Sequence, residues 1–178
     1  MPIYDADHLS EFPEAAFADV LSGNADFVRT FSDSGLSGRA AKGLAVITCM
    51  DSRIAPLNLL GMQAGDVKII RNAGARVTDD VLRTLILASY LLGVTRVLVM
   101  PHTDCRMASA SESEIHTQIE AEFGVNTRSF EFRTVDDQES ALITDVVRIR
   151  SHPLLPKGLV VGGALYDVHT GRIKPYSA

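Results

Sequence analysis

At 178 residues and 46% hydrophobic composition, the chain is long enough to bury one sizeable core and too short for two comfortable domains. A formal charge of −5 and the lack of a long Lys/Arg run exclude the electrostatic footprint that nucleic acid or anionic lipid would need. Residues 81–100 are the most apolar stretch, but Arg83, Ser89, Gly93 and Arg96 break it far short of a membrane span, and Asp5, Asp7 and Glu11 stand where a secretory leader needs a basic start, so a cytoplasmic protein is expected.

Residues 1–43 are polar and punctuated by Gly and Ser, with helical pieces expected over 12–21 and 25–32. They read as a helical arm peripheral to a core formed by residues 44–178, the two together making a single domain. From Leu44 the texture changes, and the apolar run ending at Cys49 predicts a buried strand, followed by a second over residues 67–71. Thr78 with Asp79 and Asp80 is a helix start, a hydroxyl cap followed by carboxylates in the first turn, and the helix is expected to run to about Leu92 before Gly93 stops it. A third strand is predicted over 96–101, helices over 113–123 and 137–150, a fourth strand over 158–166, and a turn at 169–171 into a short last strand over 172–176. Apolar strands alternating with helices imply an α/β fold, with a mainly parallel central sheet flanked by helices.

In such sheets chemistry collects beyond the carboxyl ends of the strands. Two unusual clusters begin there, Cys49 to Arg53 and His102 to Cys105. His102 and Cys105 are close enough on one turn to reach a single ion, and Cys49 supplies a second soft ligand from another strand end, a set that suits tetrahedral zinc. A disulfide between these two cysteines is the alternative in an exported protein, but a reducing compartment favours thiolate chemistry. Three protein ligands leave one position free, which is what a catalytic zinc requires.

Asp51 and Arg53 follow Cys49 at alternate positions. A carboxylate that close to zinc is itself a candidate ligand unless a guanidinium fork holds it, so the pair reads as a gate: with Asp51 on Arg53, water occupies the metal, and with Asp51 on the metal the site is shut. An ordinary strand-end ion pair is the alternative. Zinc lowers the pKa of bound water to about 7, giving a hydroxide able to attack a small electrophilic carbon, with Asp51 orienting it. Asn72, Ala73 and Gly74 follow the second strand, either as a pocket floor of small side chains and backbone N–H groups or as a plain turn.

Cys49-x-Asp51-x-Arg53, Arg71-Asn72-Ala73-Gly74 and His102-x-x-Cys105, in that order, resemble the motif set of the β-carbonic anhydrases, and Val77 to Asp80 with Tyr166 to Gly171 resemble its smaller bacterial members. The resemblance covers roughly residues 44–176. It implies one Zn2+ per chain on Cys49, His102 and Cys105, reversible hydration of carbon dioxide to bicarbonate, Asp51 and Arg53 as the catalytic dyad, and a homodimer or higher oligomer in which N-terminal helices pack on the partner. Relatives on the same scaffold hydrolyse carbonyl sulfide or carbon disulfide, so a sulfur-analogue hydrolase stands as an alternative, beside a non-catalytic zinc module with Asp51 as a permanent fourth ligand. The residue after the second cysteine is usually Gly in that family, whereas here it is Arg106. If the position needs positive φ, Arg costs roughly 1 kcal/mol of backbone strain there and sets a cation beside the thiolate. His116 is expected on a solvated helix face. No residue is identified for the proton transfer that fast turnover requires.

Overall fold

Strands and helices alternate along the chain as the apolar pattern predicts, in a computed structural model that describes residues 12–177. The chain divides into two units between Leu36 and Ser37. In the first, a 3₁₀ turn over Glu14–Phe17 leads into α1 (Ala18–Val28), and a second short turn covers Asp33–Gly35. The expected pair of helical pieces is thus one helix. Gly23 and Asn24, which read as a break, lie inside it, because a helix interior tolerates a single glycine at a cost of about 1 kcal/mol.

The second unit holds a five-stranded sheet of order β2-β1-β3-β4-β5, built from β1 (Leu44–Cys49), β2 (Val67–Asn72), β3 (Arg96–Met100), β4 (Val160–Tyr166) and β5 (Ile173–Tyr176). The first four strands run parallel and β5 pairs antiparallel with β4 at the edge, where Pro175 is tolerated. Every residue of β1 is buried, as expected of a parallel strand covered on both faces. Ala45 and Ile47 face one layer with Leu85 of α3 (Asp79–Leu91) and Val146 of α5 (Gln138–Arg150). Leu44 and Val46 face the other, with Met100 and with Leu59 of α2 (Pro56–Leu59), a one-turn helix that the sequence pattern does not reveal. At Gly163 of β4 an added Cβ would lie 3.1 Å from both Leu142 and Val146, so glycine lets α5 settle directly onto the sheet.

The helix starts expected near residues 79, 113 and 137 hold to within a residue. Thr78 caps α3, Asp137 accepts the Glu139 and Ser140 N–H groups at the head of α5, and Ser111 with Glu114 forms a capping box on α4 (Glu112–Phe123). His116 departs from expectation. It is buried rather than solvated, with Nδ1 2.8 Å from Thr127 Oγ1 and its ring 5.1 Å from that of Phe132, because the segment after α4 folds back over that face. Among the described residues no helix is long and apolar enough to cross a membrane.

Candidate metal centre

Cys49 is the last residue of β1, and the neighbouring parallel strand β3 ends in register with it, Thr48 opposite Met100. The buried Thr48 hydroxyl donates to Met100 O at 2.9 Å and locks the two strand ends together. Beyond Met100 the chain stays tied to β4: Tyr166 N–H donates to Pro101 O and Thr103 N–H to Tyr166 O, both at 2.9 Å. Asp104 then takes φ +55°, a left-handed turn that swings Cys105 back toward Cys49.

The result brings the Cys49 and Cys105 sulfurs and a ring nitrogen of His102 within 4.8 Å of one another, all three residues buried. The sulfurs are 4.0 Å apart and both cysteines are free thiols, so the disulfide alternative does not apply. His102 Nδ1 lies 2.8 Å from Thr103 O, which can only accept, so Nδ1 carries the proton and Nε2 presents its lone pair. That Nε2 is fully buried without a hydrogen-bond partner. A buried acceptor left unpaired is costly unless a cation takes it, and with the two sulfurs it makes a donor set that fits zinc. The sulfurs also share a proton. Hydrogen bonding from Cys105, helped by the Asp51 and Gly74 N–H groups, holds Cys49 well below the usual thiol range against the opposing effect of burial, while the same contact and burial push Cys105 up.

Asp51 and Arg53 form the fork that their spacing predicts. Arg53 Nε donates to Asp51 Oδ1 at 3.0 Å and an η nitrogen to Oδ2 at 2.7 Å, while the Arg53 backbone N–H adds a third bond to Oδ1 at 2.9 Å. These contacts hold the Asp51 carboxyl far below the ordinary carboxylate range. Even so, Asp51 Oδ2 lies only 3.8 Å from His102 Nε2. Arg53 has a second anchor that sequence reasoning missed: its other η nitrogen donates to Asp104 Oδ2 at 2.7 Å, and the η nitrogen bonded to Asp51 also donates to Asp104 O at 3.0 Å. Only the left-handed conformation of Asp104 turns it toward Arg53, and nothing in a His-Thr-Asp-Cys string announces that.

The Arg71–Gly74 motif lies beneath the cysteine. Arg71 donates to the carbonyls of Cys49 at 2.9 Å and Asp51 at 2.6 Å, gripping the backbone between ligand and dyad. The Asn72 amide is engaged with the Arg76 backbone, at 2.7 and 2.8 Å, and so closes the turn over Ala73–Ala75. Ala73 packs among the apolar neighbours of Cys49, and Gly74 N–H donates to Cys49 Sγ at 3.4 Å. Gly74 has φ +78°, and a Cβ there would stand 3.1 Å from Met107, so glycine is what lets the amide reach the sulfur. Gln138 is a further contributor that the sequence does not mark, donating to His102 O at 2.8 Å.

Arg106 does not bring the expected strain. It opens the 3₁₀ turn Arg106–Ala108 and is absent from the residues with positive φ, because Asp104 makes the left-handed turn instead. Nor does it face the thiolates: its exposed side chain turns to Gln118 on α4, 2.5 Å away.

The fold and this site together define a class: a parallel-sheet α/β protein with a Cys/His/Cys zinc centre at the carboxyl ends of two adjacent strands. A family model described as carbonic anhydrase matches residues 44–173. Beta-carbonic anhydrase 1 of Mycobacterium tuberculosis (strain ATCC 25618 / H37Rv) is 31% identical over 155 residues, 87% of this chain and 94% of that protein. A carbonic anhydrase structure from Streptococcus mutans superposes with TM-score 0.86 at 33% identity, covering 90% of this chain and 97% of the other. A carbon disulfide hydrolase from Acidianus sp. (strain A1-3) is 30% identical over 154 residues, 74% of this chain and 76% of its own length. The chain belongs to the β-carbonic anhydrase family.

Proposed function

We propose that this chain catalyses the reversible hydration of carbon dioxide to bicarbonate, with one zinc per chain on Cys49, His102 and Cys105. The observation that carries the reading is the Arg53 fork, which keeps Asp51 off a three-ligand site while leaving its Oδ2 only 3.8 Å from His102 Nε2. A zinc ion in such a site supplies a water whose pKa falls to about 7. The protein's own residues do the rest. Asp51, kept ionised by Arg53, accepts a hydrogen bond and orients the nucleophile, and Asp104 fixes Arg53 from the far side. Arg71 and Gly74 hold the backbone and the sulfur of Cys49 in place.

The same reading makes residues 1–36 an arm for self-association, since Phe12, Phe17, Leu21, Phe27 and Phe31 are all exposed. A reducing compartment such as the cytoplasm suits a site that depends on two unpaired buried cysteines. The second reading, hydrolysis of carbonyl sulfide or carbon disulfide, is favoured by the resemblance to the Acidianus hydrolase.

The test is zinc content together with stopped-flow carbon dioxide hydration across about pH 6.5 to 9, bracketing the pKa of about 7 expected of the metal's water. Carbonyl sulfide hydrolysis is followed in parallel. About one zinc per chain and hydration that rises with pH are expected, and Cys49→Ser, His102→Ala or Cys105→Ser should each remove most of the metal. Sulfide release from carbonyl sulfide by a protein inactive toward carbon dioxide would select the second reading. Stoichiometric zinc in the Cys49→Ser, Cys105→Ser double variant would refute the ligand assignment.

A further inference from the structure

Hydration of carbon dioxide leaves one proton for every bicarbonate formed, and a fast cycle needs a group to carry it to buffer. This requirement rests on the hydratase reading above. The residues of the metal centre are poor candidates. Asp51 and Asp104 both have carboxylate oxygens committed to the Arg53 guanidinium, which holds them in place as acceptors. His102 has Nδ1–H committed to Thr103 O, and its other nitrogen would be a metal ligand. Of the other described histidines, His116 is buried against Thr127 and Phe132, and His152 lies beyond the end of α5, accepting the Leu154 N–H.

His169 is placed differently. It sits in the turn between β4 and β5, and that turn is stitched to Thr103, the residue between ligand His102 and Asp104. Val168 N–H donates to Thr103 Oγ1 at 3.2 Å, and the Thr103 hydroxyl donates to Asp167 Oδ1 at 3.4 Å. The same Asp167 oxygen accepts the backbone N–H of His169 at 2.8 Å and of Thr170 at 3.3 Å. The backbone of His169 is therefore fixed relative to the ligand turn while its side chain is exposed to solvent. His169 is close enough to both Asp104, beside the ligand Cys105, and Asp167, on its own turn, for its charge to act on their carboxyls. Histidine is also the side chain whose ordinary pKa lies nearest neutrality.

We propose that His169 is the proton carrier of this metal centre, taking up the proton of hydration at the rim and releasing it to buffer. In the first step carbon dioxide, water and the neutral imidazole give bicarbonate and imidazolium, the proton crossing by way of solvent. In the second the imidazolium gives that proton to a buffer base and returns to its starting form. No other bond changes.

The experiment compares the zinc-loaded, full-length wild type with His169→Ala in stopped-flow hydration at low and at high buffer concentration. At low buffer kcat of the variant should fall about tenfold while kcat/KM is unchanged, and added imidazole should restore it, because only the proton-export step is lost. Zinc content and thermal midpoint should match the wild type. A second readout needs no net turnover: in 18O exchange between bicarbonate and water at chemical equilibrium, loss of label to water, which requires proton delivery to the site, should slow in His169→Ala while carbon dioxide–bicarbonate interconversion is unchanged. Unchanged kcat at low buffer, a loss that imidazole does not repair, or label loss to water as fast as in the wild type would each overturn the proposal. A wild type inactive toward carbon dioxide would instead overturn the hydratase reading and this assignment with it, and that outcome is visible before any substitution is made.

Discussion

Arg53 serves two carboxylates at once, and removing it should act in one direction only. In Arg53→Ala, Asp51 loses all its side-chain partners while its Oδ2 stays near His102 Nε2, so the carboxylate becomes the fourth ligand. Zinc should remain bound and hydration should fall by about 10²-fold or more. Asp51→Ala should also lose activity, through the missing orienting bond, but bind small anions as well as the wild type or better, since nothing competes for the open position. Hydration rates, zinc content and anion titration on the two variants separate these outcomes, and wild-type-like hydration in zinc-loaded Arg53→Ala would remove the gate. Cys49, His102, Cys105, Asp51 and Arg53 were legible in the sequence because each is an unusual residue at a strand end with a partner at a chemically sensible spacing. Asp104 and Gln138 were not, because their roles depend on a backbone conformation and on a helix docking that no local pattern encodes. The strain anticipated at Arg106 misplaced the left-handed residue by two positions for the same reason.

At the scale of single elements, the starts of α3, α4 and α5 were readable to within a residue because caps are local chemistry, whereas α1 begins at Ala18 and not near 12 or 25. Asp137 offers a test of one cap. The Ser140 hydroxyl, then the Glu139 and Ser140 N–H groups, hold its carboxyl below the ordinary range in the folded chain. A carboxyl depressed on folding contributes stability that is full above its unfolded pKa, about 3.9, and is lost as pH falls through the lower folded value. Asp137→Ala should therefore lower the thermal midpoint by about 2 °C at neutral pH, with the gap from wild type narrowing below about pH 4. A gap that stays constant into acid would mean that the carboxylate's charge is not what caps α5. What remained hidden at this scale was the surroundings of each element. The polar face of α4 gave no sign that residues 127–132 would bury His116, since that contact is made by chain outside the helix. The one-turn α2 is too short for any periodicity to register.

For the whole molecule, sheet class and strand sequence followed from apolar runs separated by helices, whereas the order β2-β1-β3-β4-β5 rests on long-range pairing that periodicity does not carry. The first unit buries none of its described residues, though it displays several aromatic side chains. Light scattering of the full-length protein at micromolar concentration should accordingly give the mass of a dimer or more, and a stable monomer would contradict an associating arm. The placement of the three ligands has a consequence for biogenesis. Cys49 closes β1, whereas His102 and Cys105 follow β3, and both β2 and α3 lie between those strands in sequence. No local segment of the nascent chain can assemble the trio, since the ligand positions are brought together only when β1 and β3 lie side by side with the crossover helix behind them. A complete ligand trio therefore requires the β1–β3 pairing to be in place, and a bound ion would act as a cross-strand rivet on the β1-β2-α3-β3 unit.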